Sequence, residues 1–304
     1  MSSPKRKQWK KAELKPGDTV LKDAQPTDIV ILVMGPHGVG KSTFINTTAG
    51  RTLTKVGHST ESCTATIQHA IFPYPYDTDR RVVLVDTPGL DDAYADEVEV
   101  LRRIAVWLAY SYNANLKLSG VIYLHDISQA SVMGRARHNF AVFNKLCGAE
   151  AAEHVTLATT KWANVKSETG QRHEQQLRDT WKDWLCQGSE MAKFTDTRQS
   201  AWDIIDSVTK KQPLDALRIQ REMVDLGKRI SETAAGNTLR TLLEEQVVMQ
   251  KRRFIALQIS KEGGDNRQAN LKETEDQIYM LLGQIQTLKT RRKGILGFFG
   301  CSRK

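Results

Sequence analysis

The octet Gly35-Pro36-His37-Gly38-Val39-Gly40-Lys41-Ser42 is the part of this sequence best suited to do chemistry. Its glycines let successive backbone N–H groups turn inward, where they can meet phosphate oxygens. Lys41 adds an ammonium group with the reach of a β- or γ-phosphate. Ser42 adds a hydroxyl suited to Mg2+. With Thr43, the residues Gly35, Pro36, His37, Gly38, Val39, Gly40, Lys41 and Ser42 form a candidate phosphate cradle. A second signal is Asp86-Thr87-Pro88-Gly89. An Asp at a strand end can hold Mg2+ through water, and the N–H of Gly89 can bond a γ-phosphate, so that the loop responds to its presence. Between the two lies a hydroxyl-rich stretch, residues 51–66. A loop that closes on the γ-phosphate and the metal needs one Thr; Thr64 is the first choice and Thr60 the second. The metal set expected is Ser42, Thr64 and Asp86. The chemical roles fall to Lys41, Thr64, Gly89 and His37, whose side chain can donate a hydrogen bond from the cradle.

These loops must be held by rigid elements, and the sequence supplies them. Residues 29–34 (IVILVM) form a continuous apolar, β-branched run ahead of the cradle, as expected of a strand buried on both faces. Similar runs occupy 81–86, 120–124 and 155–159, with an alternating stretch at 66–72 and a further short strand near 190–195. Helical patterns over 94–110, 135–147 and 168–186 separate them, and a helix from about Ser200 closes the unit near residue 210. Strand alternating with helix at this spacing predicts an α/β, three-layer fold with a mostly parallel central sheet. Beyond Pro213 the strand-like runs stop. Ile219, Met223, Leu226 and Ile230 step at helical spacing. Leu271, Ile278 and Ile285 recur every seven residues, as do Thr274, Leu281 and Leu288. Gly263-Gly264 interrupts the pattern, which predicts an α-helical C-terminal extension, either a hairpin or coiled-coil arm or helices folded back on the domain.

Charge and cysteine usage narrow the class. The net charge of +9 is concentrated at the two ends of the chain. A basic body would be expected of a nucleic-acid binder, so no nucleic acid is expected as partner. The four cysteines show no metal-ligand spacing, which favours a reducing, cytoplasmic compartment. The expected organisation is a disordered basic arm over 1–26, a nucleotide domain over 27–210, a helical extension over 211–292 and an apolar–basic tail over 293–304. That tail joins KTRRK to GILGFFGC. It either packs on the body of the domain or makes peripheral contact with an anionic membrane, in which case Cys301 is open to acylation.

Through these motifs the chain resembles a P-loop GTPase of the translation-factor class. The GPHGVGKST and DTPGLDD segments, with a Ser-Cys-Thr stretch between them, are similar to those of septins and of immunity-associated (AIG-type) GTPases. The segments Tyr123–Ser128, Asn139–Gly148 and Thr159–Trp162 resemble fungal G-domain proteins. The likeness covers residues 27–210. It implies GTP and GDP as ligands, Mg2+ as cofactor, hydrolysis to GDP and phosphate, and a second copy of the chain as partner, across the nucleotide face or through the C-terminal helices. It also implies a base-reading segment at Thr160-Lys161-Trp162, with Trp162 either stacked on the base or packed in the loop. The family pattern places an Asp where this chain has Ala163, and many relatives carry a water-orienting Gln where it has Leu90. Slow intrinsic hydrolysis and relaxed base choice follow from these departures. A binding module without useful hydrolysis and an ATPase are the rival readings. Ser200-Ala201 resembles the small-residue loop that supports guanine from the far side, or else Ser200 caps the following helix.

Overall fold

The computed structural model describes residues 14–21, 23–54, 66–89, 96–129, 135–259 and 265–289. Thr60, Thr64, Leu90, Cys301, residues 1–13 and the tail 293–304 lie outside the described residues.

Six strands form one sheet: β1 (Ile29–Met34), β2 (Gln68–Tyr74), β3 (Asp77–Asp86), β4 (Gly120–Asp126), β5 (Val155–Thr160) and β6 (Glu190–Lys193). The spatial order is β2-β3-β1-β4-β5-β6, parallel except for β2 at the edge. β3 begins earlier than the apolar run implied, because Pro75 and Tyr76 turn the chain back and both ends of β3, Asp77 and Arg81–Asp86, pair antiparallel with β2. The strand residues divide by parity. Val30, Leu32, Val83, Val121, Tyr123 and Leu157 face one buried cluster. Ile29, Ile31, Val33, Leu84, Ile122 and Ala158 face the other. This is the period-2 consequence of a sheet buried on both sides.

Helices α1 (Lys41–Ala49) and α6 (Arg198–Thr209) cover the second face through Phe44, Ile45, Trp202 and Ile205. Helices α2 (Glu97–Asn113) and α3 (Arg135–Cys147) cover the first. α2 starts at Asp96, whose carboxylate accepts from the N–H groups of Val98 and Glu99. The pattern over 168–186 divides at Trp181 into α4 (Ser167–Thr180) and α5 (Lys182–Cys186), where Trp181 is fully buried among aromatic rings.

Two expectations need correction. The arm assigned to 1–26 is ordered in its second half. The indole N–H of Trp107 donates to the Thr19 carbonyl at 2.9 Å, Asp18 pairs with Arg103 at 3.1 Å, and Leu21 enters the core. Low apolar content concealed this, because the segment is held mainly by polar contacts. The helical step from Ile219 to Ile230 is not one helix. A short α7 (Arg218–Gln220) widens into a π-turn over 221–225 and ends at Gly227, whose φ of 65° breaks the path. Ile219 and Met223 are buried, whereas Leu226 is exposed.

For the extension, the structure decides between the alternatives that the sequence left open. α8 (Ala234–Ile259) and α9 (Asp265–Leu288) form an antiparallel hairpin. Leu239, Leu243, Val247, Leu281, Ile285 and Leu288 belong to the same buried cluster as the sheet, so α8 packs on α3 and α9 on α2. The seven-residue spacing serves the chain's own domain. Past Val247, α8 presents Ile255 and Ile259 to solvent. No helix among the described residues is long and apolar enough to cross a membrane.

His125 on β4 gives the fold a pH dependence. Burial pushes its imidazole down to about 4, and its ring lies edge-on to Trp181. Unfolded, the same group titrates near 6.5. Between these values the unfolded chain binds a proton that the folded chain refuses, so stability falls as pH drops through this window. Full traverse corresponds to roughly 3 kcal/mol. Chemical denaturation at pH 7 and pH 4.5 should show this loss, and His125→Gln should flatten the slope by that share. Burial also lowers His69 and His138, so a residual slope persists in the variant.

Candidate functional site

The cradle sits where β1 ends and α1 begins, at the carboxyl edge of the sheet. Gly40 is the residue before α1 and adopts φ 102°, a conformation that side-chain-bearing residues avoid. It offers no side-chain cap, so no side chain of its own covers the start of α1, the end of a helix that favours an anion. The Lys41 ammonium donates to the carbonyls of Gly35 at 3.0 Å and Pro36 at 2.7 Å, which folds the side chain across the loop. His37 is exposed in the same loop, Val39 is buried beneath it, and Thr43 is half-buried in the first turn of α1.

Asp86 ends β3, and neighbouring parallel strands bring it beside the cradle. The Ser42 hydroxyl donates to its Oδ2 at 2.8 Å. Thr87 donates to the Val33 carbonyl at 2.8 Å and ties this loop to β1. Gly89 runs against the cradle, and a Cβ placed there would lie 2.5 Å from the His37 backbone nitrogen. Only glycine permits that approach. The two loops read from sequence as partners are therefore in contact.

Loop 51–54 is anchored by a residue that sequence reasoning missed. The Asn46 side chain accepts from the N–H groups of Leu53 and Thr54 at 2.8 and 2.9 Å, and donates to the Thr54 carbonyl at 2.8 Å. Asn46 lies one helical turn beyond Ser42, and that spacing was the available signal. It fixes the start of the segment that contains Thr64.

The loop after β5 is tied to the cradle by the Thr160 hydroxyl, which donates to the Val39 carbonyl at 2.8 Å. Lys161 has a left-handed backbone (φ 59°), and its ammonium donates to Asp126 Oδ2 at 2.9 Å. Burial would raise the Asp126 carboxyl, but hydrogen bonds from Ser128 and Lys161 outweigh it and hold the group below its ordinary value. Asp126 is thus an anion at neutral pH, positioned to orient Lys161.

Trp162 packs within its own loop. Its indole N–H donates to the Thr159 hydroxyl at 3.0 Å, and the Lys193 ammonium lies 4.4 Å from the ring centroid. A Cβ on Gly170 would lie 2.9 Å from its ring. Of the two roles the sequence left open, this geometry supports packing. Ser200 does not lie in a loop. It belongs to the first turn of α6, where Thr197 is the cap, and the Thr195 N–H donates to its hydroxyl at 3.1 Å. The chain between β6 and α6 is instead Phe194–Thr197.

The sequence model of the 50S ribosome-binding GTPase family matches residues 30–139, from β1 into α3. No curated protein sequence matches the chain. A solved structure of Toc33 from Arabidopsis thaliana, a dimerization-deficient mutant, is similar at 15% identity and a TM-score of 0.50. That likeness covers 63% of this chain and 88% of that one. A second solved structure, from work on the chloroplast translocon components atToc33 and psToc159, matches at 15% identity and a TM-score of 0.50, over 61% of this chain and 85% of that one. At this identity the likeness establishes a shared fold, which in this chain is a six-stranded, mostly parallel sheet between helices.

Proposed function

We propose that this chain binds GTP together with Mg2+ and hydrolyses it to GDP and phosphate, acting as a nucleotide-dependent switch. The carrying observation is the meeting of Lys41, Ser42 and Asp86 at the mouth of β1, with the Ser42–Asp86 contact at 2.8 Å. The match of residues 30–139 to a GTPase family model supports the choice of nucleotide.

In this reading the backbone N–H groups of Gly38–Thr43 hold the β- and γ-phosphates. Lys41 exchanges its carbonyl contacts for phosphate oxygens. Ser42, Asp86 and Thr64 would hold the magnesium ion, and the Ser42–Asp86 donor set fits it, being hard oxygens already in contact. Among the described residues no cluster of three His, Cys, Asp or Glu could hold a metal alone, so the phosphates and water complete its shell. When bound, magnesium offsets charge on the transferring phosphoryl group. Hydrolysis forms a bond from a water oxygen to the γ-phosphorus as the bond to the bridging oxygen breaks, and the water's proton passes to the departing phosphate. Lys41 and the loop N–H groups stabilise the charge that develops. The Gly89 N–H senses the γ-phosphate, His37 donates from the exposed side, and Thr160 and Lys161 position the base.

Leu90 offers no hydrogen bond to the attacking water, so a second copy of the chain supplies the missing group. The solved structure of the translocon components carries the statement that dimerization is important for their GTPase activity. The same behaviour is proposed here, across the nucleotide face, because the inward faces of α8 and α9 are already used. Self-assembly of the septin kind belongs to this proposal, as does peripheral membrane contact through the tail 293–304 in an otherwise cytoplasmic protein.

Single-turnover hydrolysis of γ-labelled GTP, measured over a range of protein concentrations, tests the reading. Phosphate release should be slow in dilute solution and rise more steeply than in proportion to concentration. No release above background at any concentration would leave a nucleotide-binding module without catalysis.

A further inference from the structure

The loop after β5 lacks a carboxylate at 163, and the fold offers another. We infer that Asp196, in the loop between β6 and α6, supplies the carboxylate that reads the nucleobase. This rests on the GTP-binding reading above.

Position comes first. β5 and β6 are neighbours, with Thr159 in register with Lys193, and the Phe194 N–H donates to the Thr159 carbonyl at 2.8 Å. Their outgoing loops therefore lie side by side. The Thr160–Val39 hydrogen bond fixes this pair to the cradle. β5 lies two strands from β1 and β6 three, so they stand about 10 and 14 Å away. In the GTP-binding reading the ribose and base lie beyond the cradle along the carboxyl edge of the sheet, which these loops border.

The backbone marks the same two places. Among the described residues only Asn115, Lys161 and Asp196 are non-glycine residues with positive φ. Lys161 at 59° follows β5, and Asp196 at 58° follows β6. Residues held in this conformation gather where a fold clamps a ligand.

Chemistry then separates the two loops. In the loop after β5 the Lys161 ammonium is engaged by Asp126, the Trp162 indole N–H by Thr159, and Ala163 has no polar side chain. Residues 161–166 hold no carboxylate, and the exposed Asn164 carries only a neutral amide, so the charged acceptor for the N1–H and amino group of guanine must come from elsewhere. In the loop after β6 both neighbours of Asp196 are fixed. The Thr195 N–H donates to Ser200, and Thr197 exchanges hydrogen bonds with Ser200 at 2.9 and 3.2 Å. Asp196 stands exposed between them, and no described residue bonds its carboxylate. A carboxylate there complements the two guanine donors. It meets the N1 lone pair of adenine and the C2 carbonyl of xanthine with repulsion.

Direct titration of the nucleotide-free full-length chain with GTP, ATP and XTP, each with Mg2+, tests this. Asp196→Asn keeps a residue type that tolerates left-handed backbone, and Asp196→Ala removes the polar group; circular dichroism verifies both folds. The chain itself should prefer GTP. Asp196→Asn should weaken GTP by about ten- to a hundredfold and tighten XTP. Asp196→Ala should lower GTP to the level of ATP. Unchanged GTP-to-XTP and GTP-to-ATP ratios in both variants would overturn the assignment while leaving the GTP-binding reading intact, as would a chain with no base preference. Failure of the unaltered chain to bind any of the three would overturn the GTP-binding reading itself.

Discussion

Lys41→Ala is expected to lower affinity for GTP and GDP by at least a hundredfold, and to do so with or without magnesium. The ammonium makes the strongest kind of protein–phosphate contact, and each hydrogen bond to a charged group contributes about 1.5–3 kcal/mol. Removing two such hydrogen bonds to phosphate accounts for an effect of that size. The fold should survive, because the Gly35 and Pro36 carbonyls that accept from the Lys41 ammonium belong to its own loop. Asp86→Asn provides the contrast. It preserves shape and an acceptor for the Ser42 hydroxyl but removes the charge, so only the magnesium-dependent part of the affinity should fall. Calorimetric titration of both variants, with magnesium and with a chelator, measures the difference. Equal losses in the two variants under both conditions would mean that the loop after β3 has no part in holding the metal.

The second large effect concerns stability. Leu243 on α8 is fully buried in the cluster that includes β1, β4, α2 and α3. Leu243→Ala should cost about 2–5 kcal/mol, the removed side chain plus the cavity it leaves. The loss should appear in one cooperative transition, because the hairpin and the nucleotide domain share a core. Ile255→Ala, on the outward part of the same helix and half exposed, should change stability by no more than about 0.5 kcal/mol. Urea unfolding followed by tryptophan fluorescence compares them. Five of the chain's six tryptophans lie between residues 107 and 202, so the signal reports the nucleotide domain. An unchanged midpoint for Leu243→Ala would mean an independent arm.

The contrast between Leu243 and Ile255 also shows what could be read from sequence. The central sheet was legible because runs such as Ile29–Met34 state burial on both faces directly, and the cradle because its residue types have few other uses. The destination of α8 and α9 was not legible. A helix with apolar residues every seven positions needs a partner surface, and the pattern does not say whether that surface belongs to a second helix, a second chain or the flanks of α2 and α3. Residues 14–26 were misread for the opposite reason. Their attachment uses Asp18, the Thr19 carbonyl and one leucine, which composition scores as solvated. Within the site, Trp162 and Ser200 depended on exact loop ends. A kink at Trp181, a four-residue β6 and a cap at Thr197 moved the loop by several positions from where Ser200 suggested it. Asp196 carried no motif, and its left-handed backbone was visible only once the chain was folded.

The central claim is that main-chain amides, Lys41 and a magnesium site grip a guanine nucleotide at the end of β1. Titration of the nucleotide-free chain with GTP in the presence of Mg2+ tests it most directly. The account predicts saturable binding of one nucleotide per chain, weakened by chelation and lost in Lys41→Ala. Absence of saturable binding of GTP, GDP and ATP alike, or undiminished binding in Lys41→Ala, would contradict it.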